Sequence, residues 1–423
     1  RTVNTHEITR MISFHRFTLP NGLKVIFHQD KSTPMAVVNT LYDVGARDED
    51  PNHTGFAHLF EHLMFGGSAN IPDFDAPLQR AGGESNAFTS NDITNYYDVL
   101  PSQNIETALW LESDRMLSLA FSDKSLEVQR SVVIEEFKQR YLNQPYGDVW
   151  LELRPLAYKT HPYQWATIGK EISHIEQATM DDVRSFFGTH YHPGNAILTI
   201  AGNYENNQIE DMVSTWYGNI PGKKKGARIL MQEPPQNEYR TLTLKRNVPA
   251  SAFYYAFKMS ERKSEGYYIA DLLSDEVGKD KSGKLYLSLK KDKALVHEIN
   301  AYILGSLDEG LFIVSGKLMP GKTFEDLDTA LWEVLESFKN TLISTPDLNR
   351  LRMKGKTSKA FQEQGLLNRA MNLSFFELLG DANGINEEEA IYNAIEASHL
   401  QDYAKSLFNP NNCSRLFIAS ESN

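Results

Sequence analysis

In the first half of the chain, apolar residues recur with two periods, one typical of strands and one typical of helices. Alternating or β-branched runs predict strands at 14–19, 23–27, 36–42, 86–90, 94–100 and 196–202. Apolar residues three and four positions apart predict helices at 55–65, 72–80, 103–120, 124–142, 178–189 and 206–217. The turn signal Pro20-Asn21-Gly22 joins the first two strands into a hairpin. Residues 161–175 are predicted to be a loop.

The second half repeats this order of elements after a basic segment that contains Pro and Gly, residues 221–238, which is predicted to be a linker. Strands are expected at 241–245, 252–258, 297–303, 311–316 and 414–419, and helices at 265–277, 281–291, 323–341, 346–378 and 387–407. The matching order predicts an α+β fold of two similar α/β domains, related by internal duplication. Each domain, 1–220 and 239–423, would be a mostly antiparallel sheet packed with helices.

The helix predicted at 55–65 carries a polar group on one face. His58, Glu61 and His62 stand at positions i, i+3 and i+4, which share one face of an α-helix. Two His one turn apart can bind one Zn²⁺ ion, and the Glu between them can take a proton from an attacking water. This HxxEH order is the inverzincin signature. The structural interpretation, two hydrogen-bonded core histidines, requires burying this polar group without a metal, which is costly. Thr54 is the predicted N-cap of this helix.

A third metal ligand is expected from another helix, because catalytic zinc sites use three protein ligands and leave one position open. The predicted helix 124–142 contains an apolar run that is interrupted by Glu135 and Glu136. Acidic residues in such a place usually belong to a solvated face. The alternative interpretation is that Glu136 is the third zinc ligand.

Composition narrows the class of protein. The 423 residues suffice for two or three domains, and the hydrophobic content of 41% is that of a globular protein. A net charge of −12 argues against general nucleic-acid binding. Cys413 is the only cysteine, so the sequence offers no intrachain disulfide and no thiolate zinc cluster. Any metal must therefore be bound by His and carboxylate groups.

The sequence contains no apolar run long enough to predict a membrane span. The N-terminus, Arg1 to Glu7, has no apolar stretch typical of a signal peptide. Because the chain does not begin with Met, we expect that an upstream segment was removed or left out.

The motifs, taken in order, resemble one known family. The matching stretches are Pro20 to Val25, Val44 to Glu49, Gly55 to Phe65, Gly82-Gly83, Asn86 to Ser90, Thr94 to Tyr97, Pro162-Tyr163 and Ile168-Gly169. Together they resemble the pitrilysin family of inverzincin peptidases. Within it, the chain is most similar to the half-length branch, which includes the mitochondrial processing peptidase β-subunit and bacterial relatives. The resemblance implies a LuxS/processing-peptidase-like metallohydrolase fold and a location in the bacterial cytoplasm or periplasm.

The resemblance also implies site residues. One Zn²⁺ would be bound by His58, His62 and Glu136, with Glu135 as the alternative third ligand. Many relatives carry a supporting Glu seven residues before the third ligand, where this chain has Gln129.

The family further implies how substrate is held. Asn86 and Ala87 would bind the substrate backbone by strand addition; the alternative is an ordinary edge strand. The family's substrate-holding Arg and Tyr align with Lys290 and His297, so that pair is absent. In some half-length relatives a second chain supplies the pair. The expected partner is therefore a second copy or a homologous subunit that carries the Arg/Tyr pair.

These residues imply a zinc-dependent endopeptidase that cleaves peptides or unfolded segments, with Glu61 as general base. Two competing functions belong to different classes. One is a non-catalytic or dependent subunit of a two-chain complex. The second is a peptide-binding module with a structural zinc, which requires a closed site with four protein ligands. His53 lies near the motif but outside the helix.

Overall fold

The first half of the chain builds a six-stranded sheet. The computed structural model describes residues 11–422. Residues 1–10, where the sequence shows no signal-like stretch, lie outside the described part. The strands are β1 (His15–Thr18), β2 (Lys24–Gln29), β3 (Met35–Tyr42), β4 (Glu84–Thr89), β5 (Thr94–Pro101) and β6 (Ala196–Gly202). Their order in the sheet is β1-β2-β6-β3-β5-β4, in which only β2 and β6 run parallel.

Within the described part of this half, eight α-helices accompany the sheet. They are α1 (Phe56–Leu63), α2 (Asp75–Arg80), α3 (Ile105–Leu117), α4 (Asp123–Glu136), α5 (Val149–Ala157), α6 (Ile172–Glu176), α7 (Met180–His190) and α8 (Asn206–Tyr217). The apolar side of α1 packs with one face of the sheet in the main core of this half. That face therefore holds the helix with the HxxEH motif in a fixed place.

The second half builds a five-stranded sheet of the same design. Its strands are β7 (Arg240–Arg246), β8 (Ala252–Met259), β9 (Val296–Leu304), β10 (Gly310–Leu318) and β11 (Cys413–Ser420). The order β7-β11-β8-β10-β9 repeats that of β2-β6-β3-β5-β4, and again only the first pair is parallel. The predicted fold of two similar, mostly antiparallel sheet domains is confirmed.

The helices of the second half depart from the prediction. They are α9 (Glu265–Gly278), α10 (Phe324–Asn340), α11 (Thr345–Glu363), α12 (Leu366–Leu379), α13 (Gly384–Asn393) and α14 (Ala397–Leu407). The single helix predicted at 346–378 was wrong, because Gly365 adopts an extended conformation and separates α11 from α12. The single helix predicted at 387–407 was also wrong. Glu396 is extended there, and its amide donates to His399 Nδ1 at the start of α14.

Two predicted helices contain π-helical turns. The helix predicted at 124–142 is α-helical to Glu136 and π-helical over Phe137–Leu142. The helix predicted at 281–291 consists of a 3-10 turn, Asp280–Ser282, and a π-helix, Tyr286–Asp292. The predicted loop 161–175 contains the short helix α6 from residue 172. None of the helices between residues 11 and 422 is long and apolar enough to cross a lipid bilayer.

Each half covers the second face of the other half's sheet. Helix α5 contributes Val149 and Leu153 to a core made with the second sheet. In return, Leu373 and Phe376 of α12 pack against Ile26 of the first sheet. The two halves are therefore interlocked, and each has apolar surface that only the other buries. The sequence did not predict α5, whose last turn contains Pro155.

A buried polar network also joins the halves. Arg47 is 4% exposed and lies 3.3 Å from both Asp92 and Asp308, which belong to different halves. His161 Nε2 lies 2.8 Å from Asp308 Oδ2. The segment between the sheets, residues 221–238, contains no helix or strand. Within it, Glu233 accepts three backbone N–H groups from residues 159–161. The assignment of 1–220, 221–238 and 239–423 as domains and linker stays a prediction.

Candidate metal centre

Helix α1 presents its polar residues on the side away from the core. Leu59 and Phe60 are fully buried against the sheet, which leaves His58, Glu61 and His62 on the opposite side. The two imidazole rings are 4.9 Å apart, centroid to centroid, at nearly a right angle. Two imidazoles so arranged can direct one nitrogen each at a common point.

Glu136 reaches this point from the end of α4. Its Oε2 atom lies 3.5 Å from His58 Nε2 and 3.5 Å from His62 Nε2, and the three atoms lie within 4.8 Å of one another. Ligand atoms about 2.0–2.1 Å from a tetrahedral zinc are about 3.4 Å from each other. The donor set of two imidazole nitrogens and one carboxylate therefore fits zinc with one position left open.

Glu135, the alternative ligand, lies on another side of the helix. Its Oε1 accepts a hydrogen bond from Gln139 Nε2 at 2.9 Å on the exposed surface. Arg140 donates to Glu136 Oε1 at 2.8 Å, which leaves Oε2 to face the two imidazoles. The structure thus brings Glu136, and not Glu135, to His58 and His62.

The electrostatics of the cluster favour the protonation states that bind metal. Burial lowers the pKa of His58, and the Glu136 carboxylate only partly opposes this. Hydrogen bonding to His62, together with the nearby charge of Arg140, lowers the pKa of Glu136 below its usual range. A neutral imidazole and an ionised carboxylate are the forms that coordinate a cation.

One buried atom of the cluster has no partner. His58 Nδ1 makes no hydrogen bond within the described residues, and Gln129 does not donate to it or accept from it. Metal-binding histidines usually donate this second N–H to a carboxylate or carbonyl. His58 therefore has no such acceptor among the described residues.

Glu61 has a hydrogen-bond partner that sequence reasoning missed. Thr89, the last residue of β4, donates from Oγ1 to Glu61 Oε2 at 2.6 Å. This bond fixes the carboxylate beside the cluster and leaves its other oxygen free. Thr89 stands in the Asn86 to Ser90 stretch, but only the register of β4 under α1 identifies its role.

The start of α1 also differs from the prediction. Thr54 is not the N-cap; Gly55 takes that place with a φ of 86°, and the Thr54 hydroxyl lies 2.7 Å from His174 Nδ1. The helix amides are bound instead by Glu49, which accepts from Gly55 N at 3.0 Å and Ala57 N at 2.8 Å. Burial raises the pKa of Glu49, while its three N–H donors favour the ionised form and oppose this rise.

Two protein-family models match this chain, one in its first part and one in the part that follows. The model described as "Insulinase (Peptidase family M16)" matches residues 24–168. The model described as "Peptidase M16 inactive domain" matches residues 177–354. This chain belongs to peptidase family M16. The resemblance predicted from the sequence is confirmed.

Individual M16 proteins match over most of the chain. "Zinc protease PqqE" of Helicobacter pylori is 27% identical over 407 residues, which are 95% of this chain and 91% of that protein. The "Mitochondrial-processing peptidase subunit beta" of Caenorhabditis elegans is 26% identical over 206 residues, 48% of this chain and 44% of the subunit. The crystal structure of a protease from Helicobacter pylori superposes with a TM-score of 0.91 at 26% identity, covering 97% of this chain and 100% of that one.

In this M16 chain the residues predicted to bind substrate backbone lie on an edge strand. Strand β4 pairs only with β5 among the described strands. Asn86 is exposed on it, and Ala87 packs partly against the core that holds α1. The free edge of β4 therefore runs beside Glu61 and the metal cluster.

Lys290 and His297 are not part of this cluster. Lys290 lies in the second half, with its ammonium 5.3 Å from the centre of the Tyr286 ring, and His297 is exposed on β9. Within residues 11–422, neither makes a hydrogen bond or ion pair with His58, Glu61, His62 or Glu136. His53 is also outside the cluster, since its Nδ1 faces Asp50 at 3.6 Å.

Proposed function

We propose that this M16 protein is a zinc-dependent endopeptidase that hydrolyses peptides or unfolded segments. The observation that carries the proposal is the convergence of His58 Nε2, His62 Nε2 and Glu136 Oε2, with the Glu61 carboxylate beside them. Relatives named zinc proteases support it.

Each side chain then has a role. His58, His62 and Glu136 hold Zn²⁺, which when bound lowers the pKa of a water and polarises a carbonyl oxygen. Glu61 accepts a proton from the attacking water and passes it to the leaving amine. The hydrogen bond from Thr89 keeps the Glu61 carboxylate oriented for both transfers.

The substrate adds to the free edge of β4 as an extended strand. Hydrogen bonds to the Ala87 backbone and to the Asn86 side chain, whose Oδ1 accepts the Ala87 N–H at 2.8 Å in the free chain, align its backbone with the metal cluster. Such pairing requires an extended segment, which a peptide or an unfolded chain offers and a folded domain does not.

We further propose that the functional unit is a dimer, with either a second copy or a homologous chain. Lys290 and His297 stand where the family carries its Arg/Tyr pair, and they make no polar contact with the cluster of their own chain. Donors that hold the substrate would therefore come from a partner. A dependent subunit that needs an Arg/Tyr-bearing partner is the second candidate function.

A structural zinc site and a non-catalytic subunit have less support. A structural zinc requires four protein ligands, whereas the group found among residues 11–422 has three. A non-catalytic subunit has no need of Glu61 or of its bond to Thr89.

Cleavage of a quenched fluorescent peptide by the purified chain with zinc, beside Glu61→Gln, tests the proposal. We expect turnover by the wild type and none by the variant, with one zinc bound to each. Zinc binding without turnover would favour the dependent subunit. Absence of both zinc and turnover would refute the endopeptidase.

A further inference from the structure

Helix α1 is too short to hold its own position. It spans eight residues, Phe56 to Leu63, and isolated helices of that length are unstable in water. Its first turn contains no acidic residue, and its N-cap residue has no side chain to bind the free amides. Something outside the helix must therefore fix its ends.

A buried carboxylate binds the amino end. Glu49 is 5% exposed, and its two oxygens accept the N–H groups of Gly55 and Ala57, the residue directly before His58. Trp165 Nε1 donates to the same carboxylate at 3.0 Å. All three of these partners are N–H donors, which is the arrangement that an ionised carboxylate satisfies best.

A buried guanidinium binds the carboxyl end. Arg115 is fully buried and donates from Nη1 to the carbonyl oxygen of Met64, the residue that directly follows α1, at 3.3 Å. Two further bonds, at 2.8 and 2.6 Å, tie it to the Glu112 carboxylate. It also lies 4.1 Å from the centre of the Phe74 ring. The guanidinium is thus itself held rigidly.

The charges of Glu49 and Arg115 have the signs that stabilise the two ends of a helix. An acid stabilises the amino end and a base the carboxyl end, because of the unpaired N–H and C=O groups there. We call Glu49 and Arg115 together the end clamp.

The duplicated half shows that the fold does not require such a clamp. Helix α9 is the first helix after β8, as α1 is after β3, and it carries no HxxEH motif. Buried Arg262 lies beside its amino end, and buried Glu276 lies near its carboxyl end. Neither binds the unpaired end groups of α9 in the way that Glu49 and Arg115 bind those of α1, since Arg262 donates to the Tyr268 hydroxyl and Glu276 accepts from Arg350. The clamp therefore accompanies the metal-binding residues rather than the fold.

We propose that Glu49 and Arg115 are positioning residues for the metal centre: by holding both ends of α1, they keep His58 and His62 in the arrangement that binds zinc. This inference rests on the proposed zinc site, and neither residue touches the metal or the substrate.

Glu49→Gln tests the clamp at constant size. A glutamine amide keeps one acceptor but turns an NH₂ group toward N–H donors, so at least one amide of α1 loses its partner. Zinc affinity is measured by competition with a chelating dye, and amide hydrogen exchange of residues 55–64 is measured on the metal-free protein. We expect zinc to bind about 10–100-fold more weakly, and exchange in α1 to be faster.

Glu276→Gln is the matched control, since it makes the same substitution at a buried acid of the counterpart helix. It should change neither readout. Equal zinc affinity and equal exchange in Glu49→Gln and wild type would overturn the inference while leaving the zinc site intact. If Glu49→Gln does not fold, Trp165→Phe replaces it as the test, because it removes one hydrogen-bond donor to Glu49. We expect this variant to bind zinc about threefold or more weakly than wild type. An unchanged zinc affinity would overturn the proposed role of the clamp. Failure of the wild type to bind zinc would refute the proposed function itself.

Discussion

Replacing Thr89 by valine removes one hydrogen bond from the centre and little else. The Thr89 hydroxyl donates to Glu61 Oε2 at 2.6 Å, and valine has nearly the same shape and a high strand propensity. The residue pairs with Thr94 at the end of β4 through the backbone, which the substitution does not disturb. The proposed zinc ligands His58 and His62 keep their own contacts.

The magnitude follows from the charge of the acceptor. A hydrogen bond to an ionised group contributes about 1.5–3 kcal/mol. If that energy is lost in the transition state of proton transfer, kcat falls about 10- to 150-fold. KM should change little, since Thr89 is not proposed to touch the substrate.

The assay is steady-state cleavage of a quenched peptide by wild type, Thr89→Val and Thr89→Ser, with zinc content measured on each preparation. The serine variant retains the hydroxyl and should recover most of the activity. The idea that Thr89 orients the general base would be refuted if Thr89→Val had the same kcat as wild type while Glu61→Gln was inactive.

Further predictions concern the contacts between the halves. The hydrogen bond with His161 and the charge of Arg47 lower the pKa of Asp308 below its ordinary value of 3.8. A carboxyl group whose pKa is lowered in the folded state stabilises the fold fully above its ordinary pKa. This stabilisation is lost as the pH falls through the lowered, folded-state pKa. The unfolding free energy of Asp308→Asn should therefore lie below that of wild type at neutral pH and approach it in acid, as urea titrations would reveal; a constant difference would contradict this. Leu373→Ala, at a fully buried position, should lower the unfolding free energy by about 2–5 kcal/mol, in one transition. Separate transitions of the two halves would contradict the interlocking.

The parts of the fold that depend on local pattern were predictable. The strands of both sheets lie close to their predicted places, because alternation and β-branched residues act over a few positions. The HxxEH motif was equally readable, since His58, Glu61 and His62 are close in sequence. Glu136 was harder, because two adjacent acids competed and only the orientation of α4 separates them.

Other features depend on contacts between distant segments. Helix α5 contains Pro155 and buries its apolar residues against the other half's sheet, so its own sequence gives little signal. The apolar pattern runs through Gly365 from α11 into α12, although α12 leaves to cover the first sheet. Glu49 and Thr89 are single polar residues whose roles arise from tertiary contacts alone.

The central claim is that three side chains of the first half hold one zinc ion. Anomalous diffraction at the zinc edge, from crystals grown with zinc, tests it most directly. We predict a single peak about 2.0–2.2 Å from His58 Nε2, His62 Nε2 and a carboxylate oxygen of Glu136, with no fourth protein ligand. No peak at this point, or a peak enclosed by four protein ligands, would contradict the account.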